Sequence, residues 1–404
     1  MAAVNMYFAR PVGIAEPAKL TAVNALCKLV RYVGAWSEQL HISTEYQVQR
    51  ITQGALAKFA KNHLSREITD QIVTDTMFDG INVRIYEPRA SQYDMLPALV
   101  FIHGGGWATL SVEDYDEVTR DIADLMGQVV LISIDYNLAP EHIFPGPVND
   151  CYKATKWLLQ HAADYGIDEN RIGISGDSAG GNLAASVVLR LKVDKVTPKL
   201  AFQVLVYPAL QSIDFTLPSY QQNKYAFDGL ITTSYMPYYW LIYAIGEAPR
   251  NLTDAMLKKQ AVSELRRLKN GRLANYINHS LLPETYKSRG YDPNMHTNIK
   301  KSVKEIPNNI LRIFVDPYFA PLLAEDLSGL PETYIITAEF DVLRDDGILY
   351  YERLKEAGVQ VTLNNVVSGF HGMLNMAQEI GGFEVGIQLK KDIANFARLR
   401  FYPE

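Results

Sequence analysis

A serine enclosed by glycines is the first feature of this sequence that could do chemistry. Ser178 lies in RIGISGDSAGGNLAA, where Gly176 and Gly180 complete a GxSxG pattern between an apolar strand and a helical pattern. A turn this tight leaves no room for side chains and pushes the serine hydroxyl out of the fold, which suits a nucleophile. The alternative is an ordinary helix start that is capped by Asp177 or Ser178.

A loop of three consecutive glycines could supply the donors that such a nucleophile needs. HGGGW, residues 103–107, follows the apolar strand PALVFIH. Backbone without Cβ atoms can turn its N–H groups toward an oxygen that becomes negative in a tetrahedral intermediate. We assign Gly104, Gly105 and the N–H of Ala179 to this oxyanion hole. The alternatives are a plain turn and a phosphate-binding loop, but no Gly-Lys-Ser or Gly-Lys-Thr follows.

A serine hydroxyl also needs a base to take its proton, and the base needs an acid to orient it. In the fold that carries this motif, the order along the chain is serine, acid, histidine. His371 lies in SGFHG after the β-rich run VQVTLNNVV, and Asp341 ends the preceding run ETYIITAEFD. The sequence therefore predicts a triad of Ser178, Asp341 and His371.

Three other carboxylates lie close to Asp341 in the sequence. Glu339 lies within the strand pattern, and its side chain could point to either face. Asp345 and Asp346 begin the helical pattern DDGILYYERLKEAG, where carboxylates stabilise a helix N-terminus through its dipole. We therefore expect replacement of Asp345 to cost only a fraction of about 1 kcal/mol in stability.

Aromatic side chains are concentrated in SYMPYYWLIY, residues 234–243. Large amphipathic rings suit the wall of a pocket for a hydrophobic ester. We expect Tyr238 and Trp240, together with Trp107 beside the glycine loop, to contact the substrate. The alternative is that these rings form a small core of their own.

Charge and composition argue against several other classes of function. The net charge is -6, which gives no field that attracts nucleic acid, and no RNA-binding or zinc-finger signature is present. Cys27 and Cys151 lie far apart, and the histidines show no paired-ligand spacing. We expect no cofactor, no metal and no nucleic-acid partner, and the sequence leaves the oligomeric state open.

The elements that would position these residues alternate along the chain. The β-rich runs NVRIYE, PALVFIHG, QVVLISIDY, RIGISG and AFQVLVYP are separated in several places by helical patterns. This alternation predicts an α/β fold with a mostly parallel central sheet covered by helices. It stops after Tyr207 and resumes with ETYIITAEFD. We therefore divide the chain into an N-terminal helical segment associated with a cap (1–75), the first part of the core (76–210), a helical cap insertion (211–320) and the second part of the core (321–404).

Apolar residues recur at helical spacing near the N-terminus, at Leu20, Val23, Leu26 or Cys27, and Val30. We expect this stripe to pack on the body or the cap, and peripheral contact with a membrane is the alternative. No apolar stretch reaches the roughly 20 residues that cross a bilayer, and the first nine residues are too short for a signal peptide. We therefore expect a chain without a membrane anchor.

Taken in order, HGGGW, YNLAPEHIFP, GDSAGG, DVLRDDG and GFHG resemble the hormone-sensitive-lipase branch of the α/β-hydrolases. Within that branch, the likeness is to the group of arylacetamide deacetylases and neutral cholesterol ester hydrolases. It covers the chain from about residue 76 to the end. The resemblance implies an α/β-hydrolase fold with a cap, a cofactor-independent serine esterase and a small hydrophobic ester as substrate. It also implies an endoplasmic-reticulum membrane or lumen location.

Two other functions remain compatible with the same residues. An arylacetamide-type deacetylase would cleave an amide with the same triad. A non-catalytic binding module can arise on the same fold, although retention of Ser178, Asp341, His371 and the glycine loop argues against it.

Overall fold

Runs of Val, Ile and Leu form the central sheet, as the sequence pattern predicts. A computed structural model describes residues 11–63, 70–258, 271–295, 306–378 and 380–403. The strands in these residues are β1 Gln71–Phe78, β2 Ile81–Pro88, β3 Leu96–Ile102, β4 Val130–Ile134, β5 Ile167–Asp177, β6 Phe202–Val206, β7 Glu332–Phe340 and β8 Val361–Phe370.

These strands form one sheet in the order β1-β2-β4-β3-β5-β6-β7-β8. The β1–β2 and β2–β4 pairs are antiparallel, whereas every pair from β4–β3 to β7–β8 is parallel. The prediction of an α/β fold with a mostly parallel sheet is therefore confirmed. Because parallel strands all end at the same edge, the loops that follow β3, β5 and β8 come close together there.

Strand β1 lies outside the predicted pattern, which begins near Thr76. It pairs with β2 from Gln71 opposite Pro88 to Phe78 opposite Ile81. Only its two end residues are buried. The regular alternation that identifies a half-buried strand is therefore missing, because β1 lies at the edge of the sheet.

Helices cover both faces of the sheet. The helices in the described residues are α1 Pro17–Gln39, α2 Glu45–His63, α3 Asp116–Met126, α4 Gly146–His161, α5 Ala179–Val193, α6 Pro218–Gln222, α7 Met236–Ile245, α8 Arg250–Leu257, α9 Arg272–Tyr276, α10 Asn308–Phe314, α11 Arg344–Glu356 and α12 Glu384–Phe401. Helices α4, α5 and α11 pack in one hydrophobic cluster, and α3 and α12 pack in the other. Strand β3 serves both, because Val100 and Ile102 face the first cluster while Leu99 and Phe101 face the second.

The described residues between β6 and β7 contain helices α6 to α10 and no strand. Residues 259–270 and 296–305 of the proposed cap insertion lie outside the described residues. Apolar side chains from α7, α8 and α10 join the same cluster as α4 and α5. The division of the chain into a core and a cap with the limits given above stays a prediction.

Candidate active site

Ser178 lies at the turn between β5 and α5, where its backbone takes a conformation that non-glycine residues rarely adopt. Its φ is 54° and its ψ is -118°. The Ser178 N–H donates to the carbonyl oxygen of Val206 at 2.9 Å. A Cβ atom on Gly180 would lie 2.0 Å from the carbonyl oxygen of Ile102, so only glycine fits there. This strained turn brings Ser178 to a cavity at the carboxyl edge of the sheet.

The structure brings Ser178, His371 and Asp341 into one hydrogen-bonded chain. The distance from Ser178 Oγ to His371 Nε2 is 3.0 Å, and that from His371 Nδ1 to Asp341 Oδ2 is 2.7 Å. The other carboxylate oxygen of Asp341 accepts the N–H of Leu343 at 2.9 Å, and Asp341 is fully buried. Because a carboxylate only accepts, this geometry holds the imidazole proton on Nδ1 and leaves Nε2 free to accept from the serine.

Gly104, the first glycine of the loop, does not have the role in the oxyanion hole that the sequence predicts. The N–H of Gly104 donates to Asp177 Oδ1 at 2.9 Å and to the Tyr115 hydroxyl oxygen at 3.1 Å. It is therefore not available for an oxyanion, and the assignment of Gly104 to the oxyanion hole is corrected. Gly105 and Ala179 do line the cavity, as does Gly106, which the sequence analysis did not select.

Within the described part of the chain, no acceptor is found for the N–H groups of Gly105, Gly106 and Ala179. The backbone of Gly106 has a φ of 60°, and a Cβ atom there would lie 2.4 Å from the ring of Tyr239. The loop thus needs glycine at this position because an aromatic ring packs directly on its backbone. Three unpaired N–H groups beside a serine can stabilise a developing negative charge.

Asp177, the residue before the serine, holds the glycine loop in place by accepting the N–H of Gly104. Its carboxylate accepts from Tyr115 at 2.9 Å and from the Tyr207 hydroxyl at 3.3 Å, in addition to the Gly104 N–H. Burial raises the pKa of Asp177 to about 6, although these hydrogen bonds and the charge of His371 act in the opposite direction. The ring of Tyr207 also lies 4.8 Å from that of His371.

Asp177, Tyr115 and Tyr207 are therefore positioning residues that the sequence analysis missed. Asp177 could have been noticed, because it stands next to the candidate nucleophile. Tyr115 lies in the loop before α3 and Tyr207 follows β6, and no local pattern marks either of them.

The cavity at Ser178 has a volume of about 80 Å³ and is mainly apolar where it leaves the triad. The larger apolar side chains that line it include Trp107, Leu110, Leu230, Ile231, Met236 and Tyr239. Trp107 thus lies where the sequence analysis expects it. Its indole N–H donates to Asn182 Oδ1 at 3.3 Å, which fixes the ring in the wall.

Tyr238 and Trp240 do not line this cavity. Trp240 is fully buried behind Trp107, with the two ring centres 4.4 Å apart. Tyr238 stacks on Tyr235 with ring centres 5.2 Å apart. In α7, helical periodicity directs Trp240 into the core and leaves Tyr239 on the cavity side. The expected position of Tyr238 and Trp240 in the wall of the cavity is therefore corrected, and Tyr239 lines the cavity instead.

The carboxylates after Asp341 form a buried network rather than an exposed helix start. Asp345 Oδ1 accepts from Arg344 Nε at 2.9 Å, and its Oδ2 accepts the N–H of Ser219 at 2.6 Å. Asp346 accepts from the backbone N–H and the side chain of Gln211, and burial raises its pKa to about 8. Asp345 and Arg344 are both inaccessible to solvent. The premise of the small expected cost, a carboxylate that interacts only with the helix dipole, is therefore wrong.

Glu339 belongs to this network. It accepts from Arg344 at 2.8 Å and from Arg289 at 2.7 Å. It is thus committed to structural ion pairs, and Asp341 is the carboxylate that faces His371. Among the described residues, no group of three or more His, Cys, Asp or Glu side chains is placed to hold a metal ion.

The sheet, the turn at Ser178 and the triad geometry define a hydrolase of the α/β type. Comparison of the sequence with known families agrees, because the α/β hydrolase fold matches residues 99–270 and 299–375. The chain belongs to this family and is a carboxylic ester hydrolase.

Its relatives give a narrower position within the family. It is 37% identical to rabbit (Oryctolagus cuniculus) arylacetamide deacetylase over 98% of this chain and 96% of that protein. It is 36% identical to neutral cholesterol ester hydrolase 1 of Bos taurus over 96% of this chain and 94% of that protein. The resemblance to the hormone-sensitive-lipase branch is thereby confirmed.

Solved structures show the same fold. An esterase from Pyrobaculum calidifontis is 27% identical, with a TM-score of 0.62 over 87% of this chain and 92% of that chain. A thermostable esterase from Pseudomonas putida is 26% identical, with a TM-score of 0.63 over 87% of this chain and 89% of that chain.

Proposed function

We propose that the protein hydrolyses hydrophobic carboxylic esters through an acyl-enzyme formed on Ser178. The observation that carries this proposal is the hydrogen-bonded chain from Ser178 Oγ through His371 to Asp341, which ends in the cavity lined by the glycine loop. A serine paired with a neutral imidazole, itself oriented by a buried carboxylate, is the arrangement that activates a hydroxyl nucleophile.

In the first half of the reaction, Ser178 Oγ attacks the ester carbonyl carbon and His371 Nε2 takes the hydroxyl proton. The carbonyl oxygen becomes negative and accepts from the N–H groups of Gly105, Gly106 and Ala179. As the carbon–oxygen bond to the alcohol breaks, His371 gives the proton to the leaving alcohol. The acyl group remains on Ser178.

In the second half, a water molecule replaces the alcohol. His371 takes a proton from this water as it attacks the acyl carbon, and the same donors hold the oxyanion. The intermediate collapses, His371 returns the proton to Ser178 Oγ, and the carboxylic acid leaves. Asp341 stays ionised throughout and stabilises the imidazolium that forms twice in the cycle.

The cavity supports a hydrophobic substrate but limits the part of it that is enclosed. Its wall beyond the triad is formed by Trp107, Leu230, Ile231 and other apolar side chains. The cavity volume of about 80 Å³ is small beside the roughly 300–1,000 Å³ of pockets that enclose a whole drug-sized ligand. We infer that a short acyl chain or the first part of a longer one fills this space. The relatives named for arylacetamides and cholesterol esters support bulky apolar substrates.

The chain-length dependence of hydrolysis tests this substrate class. We expect kcat/KM for p-nitrophenyl esters to rise from acetate to about butyrate, because each buried methylene contributes up to about 0.8 kcal/mol, or roughly fourfold. It should then level off. The measurement is kcat/KM for the series, with each ester kept below its aggregation limit.

Ile231→Ala provides the matched variant. Ile231 lines the small cavity, and the next residue, Thr232, lines a second cleft of about 1010 Å³. Shortening Ile231 should therefore extend the rise in kcat/KM to longer chains, and Ile231→Val should extend it less. A steady fall in kcat/KM from acetate onward in the unaltered protein would contradict a hydrophobic acyl site.

Amide hydrolysis is the second candidate, and one observation favours it. Gln53 of α2 lines the cavity, and its Oε1 is buried without a donor among the described residues. A buried acceptor without a partner is costly, and an amide N–H in the substrate could supply the missing donor, whereas an ester could not.

Gln53→Leu tests the amide candidate, since leucine keeps the approximate size and removes the acceptor. We expect the ratio of kcat/KM for p-nitroacetanilide to that for p-nitrophenyl acetate to fall about tenfold, as a hydrogen bond of about 1 kcal/mol or slightly more is lost. Hydrolysis of the ester serves as the internal control. An unchanged ratio would show that Gln53 does not recognise an amide.

A further inference from the structure

Helix α1 exposes a continuous apolar face. Leu26, Leu29, Val33, Trp36 and Leu40 follow one another at intervals of three and four residues, and all five side chains are exposed. Leu29 is 58% exposed and Trp36 is 64% exposed, so neither side chain packs on the body of the protein. A stripe at this spacing normally faces a core.

The polar residues of the same helix point inward instead. Asn24 is buried and donates to Asp228 Oδ1 at 3.0 Å, and Lys28 pairs with Asp228 at 2.8 Å. Arg31 donates to the carbonyl oxygen of Asp228 at 2.7 Å. The expected stripe is buried only in part, since Leu20 is inaccessible while Leu26 is 45% exposed. Between Asn24 and Trp36, the helix therefore directs Asn24, Lys28 and Arg31 to the protein and leaves its larger apolar side chains, Leu26, Leu29, Val33 and Trp36, exposed.

Exposed apolar side chains also occur in the segment that follows α1. Ile42 lies in the loop after it, and Ile51 and Leu56 of α2 are also exposed. Of the 22 exposed large hydrophobic side chains in the described residues, nine lie between Leu26 and Leu56. We call these nine residues the α1–α2 face. They are Leu26, Leu29, Tyr32, Val33, Trp36, Leu40, Ile42, Ile51 and Leu56. Such a concentration marks an interaction surface.

We propose that the α1–α2 face docks on a lipid surface. From Ala22 to Trp36 the exposed positions are all uncharged, and Tyr32 and Trp36 are residues that favour the boundary between hydrocarbon and water. A helix that pairs with a second copy has a narrower seam with charged residues beside it. Here the positions beside the stripe are Ala25, Tyr32 and Ala35, which widen the apolar face.

The position of this face suits an enzyme whose substrate is dissolved in lipid. Helix α2 contributes Ile51 to the α1–α2 face and Gln53 to the cavity at Ser178. Docking would thus hold the catalytic cavity beside the lipid phase. The inference goes beyond the proposed function, since binding to lipid is measured without turnover. No helix among the described residues is long and apolar enough to cross a membrane.

Co-sedimentation of the full chain with phosphatidylcholine vesicles tests the proposal. We expect binding in 0.1 M NaCl that persists in 1 M NaCl, since an uncharged face is not screened by salt. The double substitution Leu29→Asp/Trp36→Asp should lower the partition coefficient about thirtyfold or more, because both side chains lose their burial in lipid. Hydrolysis of a soluble short-chain ester should be unchanged.

The matched control is Val193→Asp/Leu399→Asp, which alters two side chains that are 62% and 56% exposed and lie outside the α1–α2 face. It should bind vesicles as the unaltered protein does. Absence of vesicle binding, its loss in 1 M NaCl, or equal loss in both double variants would overturn the proposal. So would a dimer that the Leu29→Asp/Trp36→Asp change converts to monomer, because a second copy would then cover the face.

Discussion

Ser178→Ala should remove ester hydrolysis almost completely while the protein stays folded. Without Oγ there is no atom to attack the carbonyl carbon, and His371 loses its proton donor. We expect kcat to fall on the order of 10⁵-fold, with the remaining rate coming from substrate binding and the oxyanion donors. The measurement is kcat for p-nitrophenyl butyrate, together with the thermal unfolding midpoint.

Ser186→Ala is a suitable control for this variant. Ser186 lies two turns further along α5 and donates to the carbonyl oxygen of Asn182 at 2.8 Å, away from the cavity. Its replacement should leave kcat within a few-fold of the original value. If Ser178→Ala retained a tenth or more of the activity, Ser178 would not be the nucleophile.

Asp341→Asn should lower kcat on the order of 10⁴-fold with only a small change in stability. The carboxylate accepts the Nδ1 proton of His371 at 2.7 Å. An amide in its place can donate to Nδ1, which moves the imidazole proton to Nε2 and removes the acceptor for Ser178. The measurement is kcat across the neutral pH range, with unfolding by urea as the check on stability.

Asp345→Asn is the matched comparison, four residues further along the chain. This change leaves the buried Arg344 without one of its two carboxylate partners, and breaking such a buried pair costs about 3 kcal/mol. We expect a large loss of stability, while the folded fraction keeps its kcat. If Asp345→Asn instead lost activity and kept stability, Asp345 rather than Asp341 would act with the histidine.

The triad could be predicted because each member is marked by local sequence. Ser178 stands in a glycine-rich turn between an apolar run and a helical pattern, and the observed helix α5 begins directly after it, at Ala179. Asp341 and His371 follow apolar runs that had to be strands. Parallel strands then bring these positions to one edge, so their order along the chain was enough.

The direction of the Gly104 N–H could not be predicted from the sequence. Three consecutive glycines indicate a loop with free N–H groups, but the direction of each N–H depends on its partners. The closer of the two acceptors for the Gly104 N–H is Asp177, which lies 73 residues away along the chain. The carboxylate was visible in the sequence, but its role as an anchor depends on the pairing of β3 with β5.

The sequence also does not show which side chains of a helix are buried. Asp345 has the pattern of an exposed helix start, yet the backbone of Ser219 in α6 covers it. Helix α1 has apolar residues on two sides, and periodicity alone does not say which side faces the protein. Inward pairs with Asp228 decide that question, and they come from a segment some 200 residues away.

Covalent labelling tests the central claim most directly. A p-nitrophenyl alkylphosphonate resembles the tetrahedral intermediate and transfers its phosphonyl group to an activated serine with release of p-nitrophenol. We predict one equivalent of p-nitrophenol per chain, loss of hydrolysis in the same proportion, and a single modified peptide in mass spectrometry, with the added mass on Ser178. Complete inactivation with the added mass on any other side chain would contradict the assignment of Ser178 as the nucleophile.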